Sequence, residues 1–273
     1  MVSISEKIEL LGKGVYSGIP DVLTLKAIPT TSELEYVGAD DFDKTMLDSV
    51  FPVAIEEDIN PHNLLELDYR WICRCLRMIN YGPYYTTNTV YCPDCGKVSH
   101  GEYQVNLSTV ECKPFPEGFV NEIKIPKDEF IDFDGDVTIS LLTIDQVMQA
   151  YKDTAFTLQN GDQNLELARM CYMIKSLGSR KGLTPVEVKL TIQNTFSPAD
   201  YMLLKESINQ LSDYGLRAGG TTVCPKCGSR KAVFYALNDD RFFRPSVGDL
   251  KRWKADKSQR SVEDTSGKKA STV

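Results

Sequence analysis

Two segments, Cys92-Pro93-Asp94-Cys95-Gly96 and Cys224-Pro225-Lys226-Cys227-Gly228, repeat one short turn at opposite ends of a long intervening stretch. A C-P-x-C-G turn offers two thiolates to one cation, and the glycine permits the tight backbone that follows the second sulfur. Two such turns together supply four sulfurs, the ligand set of a closed structural zinc site. The expectation is one structural zinc per chain, held by Cys92, Cys95, Cys224 and Cys227. The other reading of the same residues is two separate redox dithiols or incidental loops, but nothing nearby has the strand-to-helix setting of a thioredoxin-type dithiol.

The flanking residues are those that would position a zinc ribbon. Thr86 to Tyr91 leads into the first turn, and Tyr103, Val105 and Leu107 alternate after it, which predicts a hairpin with the turn at its tip. Thr221-Thr222-Val223 enters the second turn and Ala232 to Leu237 leaves it, a weak internal duplication. A shared ion would close the chain between the turns. Structural zinc contributes roughly 10–16 kcal/mol, more than the net stability of most domains, so the ion is expected to decide whether the fold forms.

Other residues with chemical potential are less specific. His62 and His100 are the only histidines, and His100 could serve at most as a substitute or outer ligand. Gly12-Lys13-Gly14-Val15-Tyr16-Ser17-Gly18 fits neither dinucleotide nor phosphate-loop spacing and reads as part of a mobile arm. Asp132, Asp134 and Asp136 lack the terminal glutamate of a calcium loop and read as a turn around Asp134-Gly135. Cys73, Cys75 and Cys171 read as packing residues. With no poised nucleophile or base, and a four-thiolate site that leaves no vacancy for water, the chain reads as a non-enzyme without a small-molecule substrate.

At 273 residues, with 42% hydrophobic and 25% charged residues, the chain can bury a substantial core. No apolar run is long enough to cross a bilayer, and the N-terminus lacks the charged and apolar regions of a secretory signal. The expectation is a cytosolic protein whose eight cysteines are reduced. A net charge of −7 argues against nucleic acid as the main partner, although the residues after 250 carry a net +4.

The expected fold class is α+β: small β-hairpins forming the zinc ribbon, an amphipathic helix, and an inserted helical module. The helix is marked by Leu65, Tyr69, Ile72, Leu76 and Ile79 on one stripe, Asn63 as cap, Gly82 as stop, and Arg70, Arg74 and Arg77 on the other side. The module is marked by helix starts at Thr143, Thr184-Pro185 and Ser197-Pro198 and by a helix from Asn164 to Leu177. The division expected is a mobile arm over 1–19, a discontinuous ribbon domain over 20–142 and 218–250, the helical module over 143–217, and a disordered basic tail over 251–273.

Residues 62–96, with Leu64 to Arg70, Leu76 to Gly82 and then Cys92-Pro93-Asp94-Cys95-Gly96, resemble the baseplate hub proteins of T-even-like contractile-tailed bacteriophages. The similarity extends over roughly 20–145 and 220–250, including Arg241-Phe242-Phe243-Arg244-Pro245-Ser246, and omits the helical module. The resemblance implies a late phage protein of the host cytoplasm that assists hub assembly or joins the baseplate as a minor subunit, with other hub or tail proteins as partners. In such a scaffold Arg241, Phe242, Phe243 and Arg244 are candidate partner contacts, since aromatic and Arg residues dominate interface hot spots; the alternative is that both Phe side chains pack at home. The competing class is a zinc-ribbon nucleic-acid-binding or transcription-associated phage protein using the basic tail and Arg70 to Arg77.

Overall fold

A computed structural model describes residues 5–36, 39–211, 214–216, 221–230, 232–233, 240–243 and 245–256. The chain is mixed α+β with small antiparallel sheets of two to four strands, as expected. It opens with strands β1 (Ser5–Glu9) and β2 (Val22–Lys26), then short helices α1 (Thr30–Tyr36), α2 (Phe42–Thr45) and α3 (Phe51–Ala54), and the long helix α4 (Glu66–Tyr81). The stripe of Leu65, Tyr69, Ile72, Leu76 and Ile79 is buried, so α4 is the spine of the first core.

Three expectations about this region are corrected. Residues 5–19 are not a mobile arm, because β1 pairs with β2 along its length and the glycine-rich turn wraps a buried carboxylate. Asp68 of α4 accepts hydrogen bonds from the Leu11 amide at 2.6 Å, the Gly12 amide at 3.2 Å and the Tyr16 hydroxyl. A Cβ on Gly12 would stand 2.9 Å from that carboxylate, so a larger residue would displace it. Asn63 does not cap α4; Leu65 holds the cap position and its amide donates to the Tyr16 hydroxyl at 3.0 Å. Finally, Arg74 and Arg77 face inward. Burying a guanidinium requires partners, and Arg77 donates to the carbonyls of Phe242 (2.7 Å), Gly82 (2.8 Å) and Tyr84 (2.7 Å).

The chain continues through strands β3 (Tyr84–Cys92), β4 (Lys97–Asn106) and β5 (Cys112–Lys113) into β6 (Ile123–Ile125) and β7 (Val137–Ile139). Helices α5 (Ile144–Lys152) and α6 (Leu165–Met173) follow, then strands β8 (Ile174–Leu177) and β9 (Arg180–Lys181), and helices α7 (Pro185–Thr195) and α8 (Pro198–Leu211). Thr143 and Thr184 form complete capping boxes with Gln146 and Glu187. The helix expected over 164–177 stops at Met173, because Ile174 to Leu177 extends and pairs with β7. The sheet β6-β7-β8-β9 therefore joins residues on both sides of position 142 into one second core, so the packing boundary does not fall there and the 143–217 stretch is not purely helical.

Buried Asp200 at the start of α8 orders this second core by accepting the amides of Ile131 (2.6 Å), Asp132 (3.2 Å) and Phe133 (3.1 Å). Asp134 and Asp136 pair with Lys127 and Lys124, and β6 reaches β7 through residues 126–136 with a 3-10 turn at Lys127–Glu129, in place of the tight Asp134-Gly135 turn expected. The two cores meet at a backbone bridge, Glu66 N–H to Leu142 O at 3.0 Å and Ile144 N–H to Leu64 O at 2.9 Å. Beside it, the Glu66 carboxylate holds both Arg70 and Arg169.

Strands β10 (Gly215–Leu216), β11 (Thr221–Thr222) and β12 (Ala232–Val233) return the chain to the first core, and a helix α9 over 247–256 closes it. Phe242 and Phe243 are fully buried there, packed against Tyr85 and against Tyr36 with Phe42. This corrects their assignment as partner contacts: the Arg77 guanidinium fixes the Phe242 carbonyl and draws both rings inside. The side chains of Arg241 and Arg244 lie outside the described residues. Residues 251–256, expected to be disordered, are the second half of α9; Trp253 covers Gly82, where a Cβ would come within 2.4 Å of the indole. The tail from 257 onward lies outside the described residues.

Phe242→Ala should lower the unfolding free energy by about 3–5 kcal/mol in chemical denaturation, the cost of emptying a packed aromatic site; a loss within error of zero would restore the partner-contact assignment. Acid stability tests Asp200. Burial pushes its carboxyl up, but the Ile131 amide, the Ser197 hydroxyl and the Asp132 and Ser197 amides outweigh this and hold it below the ordinary range. The unfolded chain therefore binds this proton more readily. Its stabilisation is complete above the unfolded aspartate value of about 3.9 and is lost as pH falls toward the depressed value. Asp200→Asn should lower stability at neutral pH and flatten the acid limb of the stability curve; an unaltered acid limb would contradict this role.

Candidate metal centre

Strand β3 and strand β4 form a hairpin in which Tyr91 pairs with Val98 and Cys92 with Lys97, so the first turn sits at the hairpin tip. The second turn lies between β11 and β12, and β12 pairs with β3 at Val233 and Tyr91, which gives the sheet order β11-β12-β3-β4. This one sheet carries both turns on the same side. The strand after the second turn is described only for Ala232–Val233; the remainder expected up to Leu237 lies outside the described residues.

The turns are structural copies. Gly96 N–H donates to Cys92 O at 2.8 Å, and Gly228 N–H donates to Cys224 O at 2.8 Å. Both glycines have positive φ, 61° and 73°, where a side chain would be strained. The amides of Lys97 and Ser229, each two residues past the second cysteine of its turn, donate to the sulfurs of Cys95 and Cys227. Ser229 also donates its hydroxyl to the Asp94 carboxylate, tying one turn to the other.

The four Sγ atoms all lie within 4.8 Å of one another. Cys92 and Cys227 approach to 3.7 Å and Cys95 and Cys224 to 3.9 Å, each pair spanning the two turns. Metal–thiolate bonds of ~2.3 Å place the vertices of a tetrahedron about 3.8 Å apart, so the residues fit one four-coordinate cation. All four are free thiols. Cys92 and Cys224 are buried with Val90 beneath Tyr103, while Cys95 is half-buried and Cys227 exposed. Among the described residues no other group of three or more His, Cys, Asp or Glu brings its ligand atoms so close. His100 is exposed on β4 and does not belong to the group; His62 lies between Asp48 and Asp145.

The sulfurs cannot all ionise without a counter-charge. Desolvation pushes the Cys224 thiol up, but the amides of Cys227 and Lys226 and its thiol neighbours outweigh this and bring it to about 7. The Ser229 amide draws Cys227 down, yet desolvation and the hydrogen bonds of Cys92, Cys224 and Cys95 push it up to about 12. One thiolate, Cys224, thus forms easily while Cys227 keeps its proton. A divalent cation removes that repulsion and releases the protons.

Sequence spacing identified all four cysteines that meet here. It missed the Lys97 and Ser229 amides and the Ser229 to Asp94 link, for which the only trace is a polar residue at each site within the duplicated turns. Cys73, Cys75 and Cys171 are buried in the two apolar cores, away from this group. No family model, curated protein or solved structure matches the chain.

Full-length protein purified without a tag should carry one divalent metal per chain by plasma mass spectrometry. Cys92→Ser or Cys224→Ser should abolish stoichiometric binding, whereas Cys171→Ser should leave it intact. Metal retained at full stoichiometry after loss of Cys92 would remove the site from these four residues.

Proposed function

We propose that the chain is a zinc-stapled, non-catalytic scaffold acting through protein–protein contacts in assembly of the baseplate hub of a contractile-tailed bacteriophage, as an assembly factor or minor structural subunit. The observation that carries the scaffold reading is the meeting of Cys92, Cys95, Cys224 and Cys227 within 4.8 Å. Four thiolates are the donor set that favours zinc over harder divalent ions, and they fill every vertex of its tetrahedral shell. No vertex is left for water or substrate, so the ion braces and does not activate. It fixes both ends of the long segment carrying the second core, which makes that core a held projection.

The assignment to a phage hub rests on the motif resemblance in residues 62–96, and places the protein in the host cytoplasm during assembly. No helix among the described residues is long and apolar enough to cross a membrane. The nucleic-acid reading draws less support. Arg74 and Arg77 are buried and hydrogen-bonded to carbonyls, Arg70 is paired with Glu66, and Arg252 is held against Gln104 and the Tyr84 ring.

Affinity purification of the full chain from infected cells, after nuclease treatment, tests the reading. Hub or tail subunits should co-purify stoichiometrically, and their loss on chelation would match a zinc-braced scaffold. Recovery with RNA polymerase alone, or only while nucleic acid is intact, would overturn it.

A further inference from the structure

Alternation in the ribbon gives it two faces. Val90 and Cys92 are fully buried on the side of the metal ligands, while Tyr91 between them is 40% exposed. Across the hairpin, Ser99 is buried and Val98, the register partner of Tyr91, is 52% exposed. Directly opposed residues share a face, and so do residues two apart along a strand. Thr221 pairs with Val233 and Val233 with Tyr91, which puts Val223, 54% exposed, on this outer face too. The reverse of the metal-binding face therefore exposes Tyr91, Val98 and Val223.

The charges around the patch differ from those of the whole chain. Lys226 and Arg230, in and just after the second turn, are exposed at the ribbon tip, and neither has an ion-pair partner among the described residues, whereas Lys97 opposes Cys92 and stands on the metal side. Of the nearby acids, Asp94 accepts the Ser229 hydroxyl and Glu102 is exposed. A chain of net charge −7 thus presents two exposed cations at this end, neither ion-paired among the described residues. An apolar centre with a charged rim is the anatomy of a protein interface, in which the aromatic anchors and the rim steers. A duplex-gripping surface would need basic residues across its centre, where Tyr91, Val98 and Val223 stand, and a single-strand surface would need successive aromatic platforms, of which this patch holds Tyr91 alone beside two valines.

We infer that the outer face of the ribbon, Tyr91, Val98 and Val223 with Lys226 and Arg230 at its edge, is a docking surface for another protein that presents an apolar patch edged by carboxylates. It takes the place of the 241–244 segment, whose Phe side chains are internal. The metal controls it indirectly: Cys92 adjoins Tyr91 in β3, and Cys224 adjoins Val223, so a bound ion sets the register of both strands under the patch. The identification of the partner as a hub component rests on the proposed function; the surface itself does not.

Site-specific photo-cross-linking on the full, metal-loaded chain separates the two. A benzophenone amino acid is placed at Val98, and at Leu34, which is 70% exposed elsewhere, as the control. The chain is co-expressed with the hub and tail proteins of a contractile phage, and the cross-linked peptides are sequenced. The expected result is adducts from Val98 well above those from Leu34, to acidic segments of a hub or tail protein. Lys226→Glu with Arg230→Glu should lower their yield about tenfold, the scale of electrostatic steering, with metal content unchanged. Yield no greater than from Leu34, insensitivity to charge reversal, or adducts chiefly to nucleic acid or to a second copy of this chain would overturn the surface. Specific, charge-sensitive adducts to an acidic protein that is neither hub nor tail would sustain the surface and overturn the hub assignment.

Discussion

Closure of the chain at four sulfurs is the constraint from which the rest of the architecture follows. Bringing Cys92 and Cys227 to 3.7 Å joins segments 135 positions apart, and the intervening residues become one loop with fixed ends. A covalent closure of about 100 residues would remove roughly 4–5 kcal/mol of disorder from the unfolded chain. The backbone pairing that accompanies the closure is slight, since β11 and β12 are two residues each and a single register pair joins β12 to β3. Such strands do not hold themselves. A tetrahedral cation held by the four sulfurs would supply what the short ladders lack, and the amides of Lys97 and Ser229 already point at the sulfurs of Cys95 and Cys227.

A second closure stands behind the first. Arg77 binds the carbonyls of Gly82, Tyr84 and Phe242, so one buried guanidinium ends helix α4, starts strand β3 and anchors the segment that follows the ribbon. Desolvation lowers its pKa to about 10, still above neutrality, so the charge persists in the interior. Its carbonyl partners compensate the burial of that charge. Helix α9 then covers Gly82 through Trp253 and fixes Asp249 to Thr86 and Gln104. The ribbon is thus gripped at its base by an arginine and at its tip by thiolates, while the second core hangs from the Leu64–Ile144 bridge and the Glu66–Arg169 pair.

The parts legible in the sequence were those set by local chemistry. Cysteine spacing gave the four sulfurs that meet, the 3.6 period gave α4, and Thr-x-x-Gln and Thr-Pro-x-Glu gave two capping boxes. What escaped was decided at long range. Arginines on α4 match a solvent-facing stripe by periodicity alone, and only the return of residues 240–243 supplies the carbonyl that draws Arg77 inside. The glycine-rich segment reads as loose until Asp68, more than fifty positions later, gathers its amides. Ile174 to Leu177 continues a helical pattern but meets β7, and sheet pairing outweighs propensity. Phe242 and Phe243 carry the composition of a hot spot and the burial of a core, a distinction no spacing contains.

X-ray absorption at the metal edge of the purified, full-length protein reports directly on how the two turns meet. Four sulfur scatterers at ~2.3 Å and no nitrogen or oxygen among the direct neighbours is the expected spectrum. A shell with two sulfurs completed by light atoms would mean that the two turns bind apart, and that the chain is not closed by a metal at all.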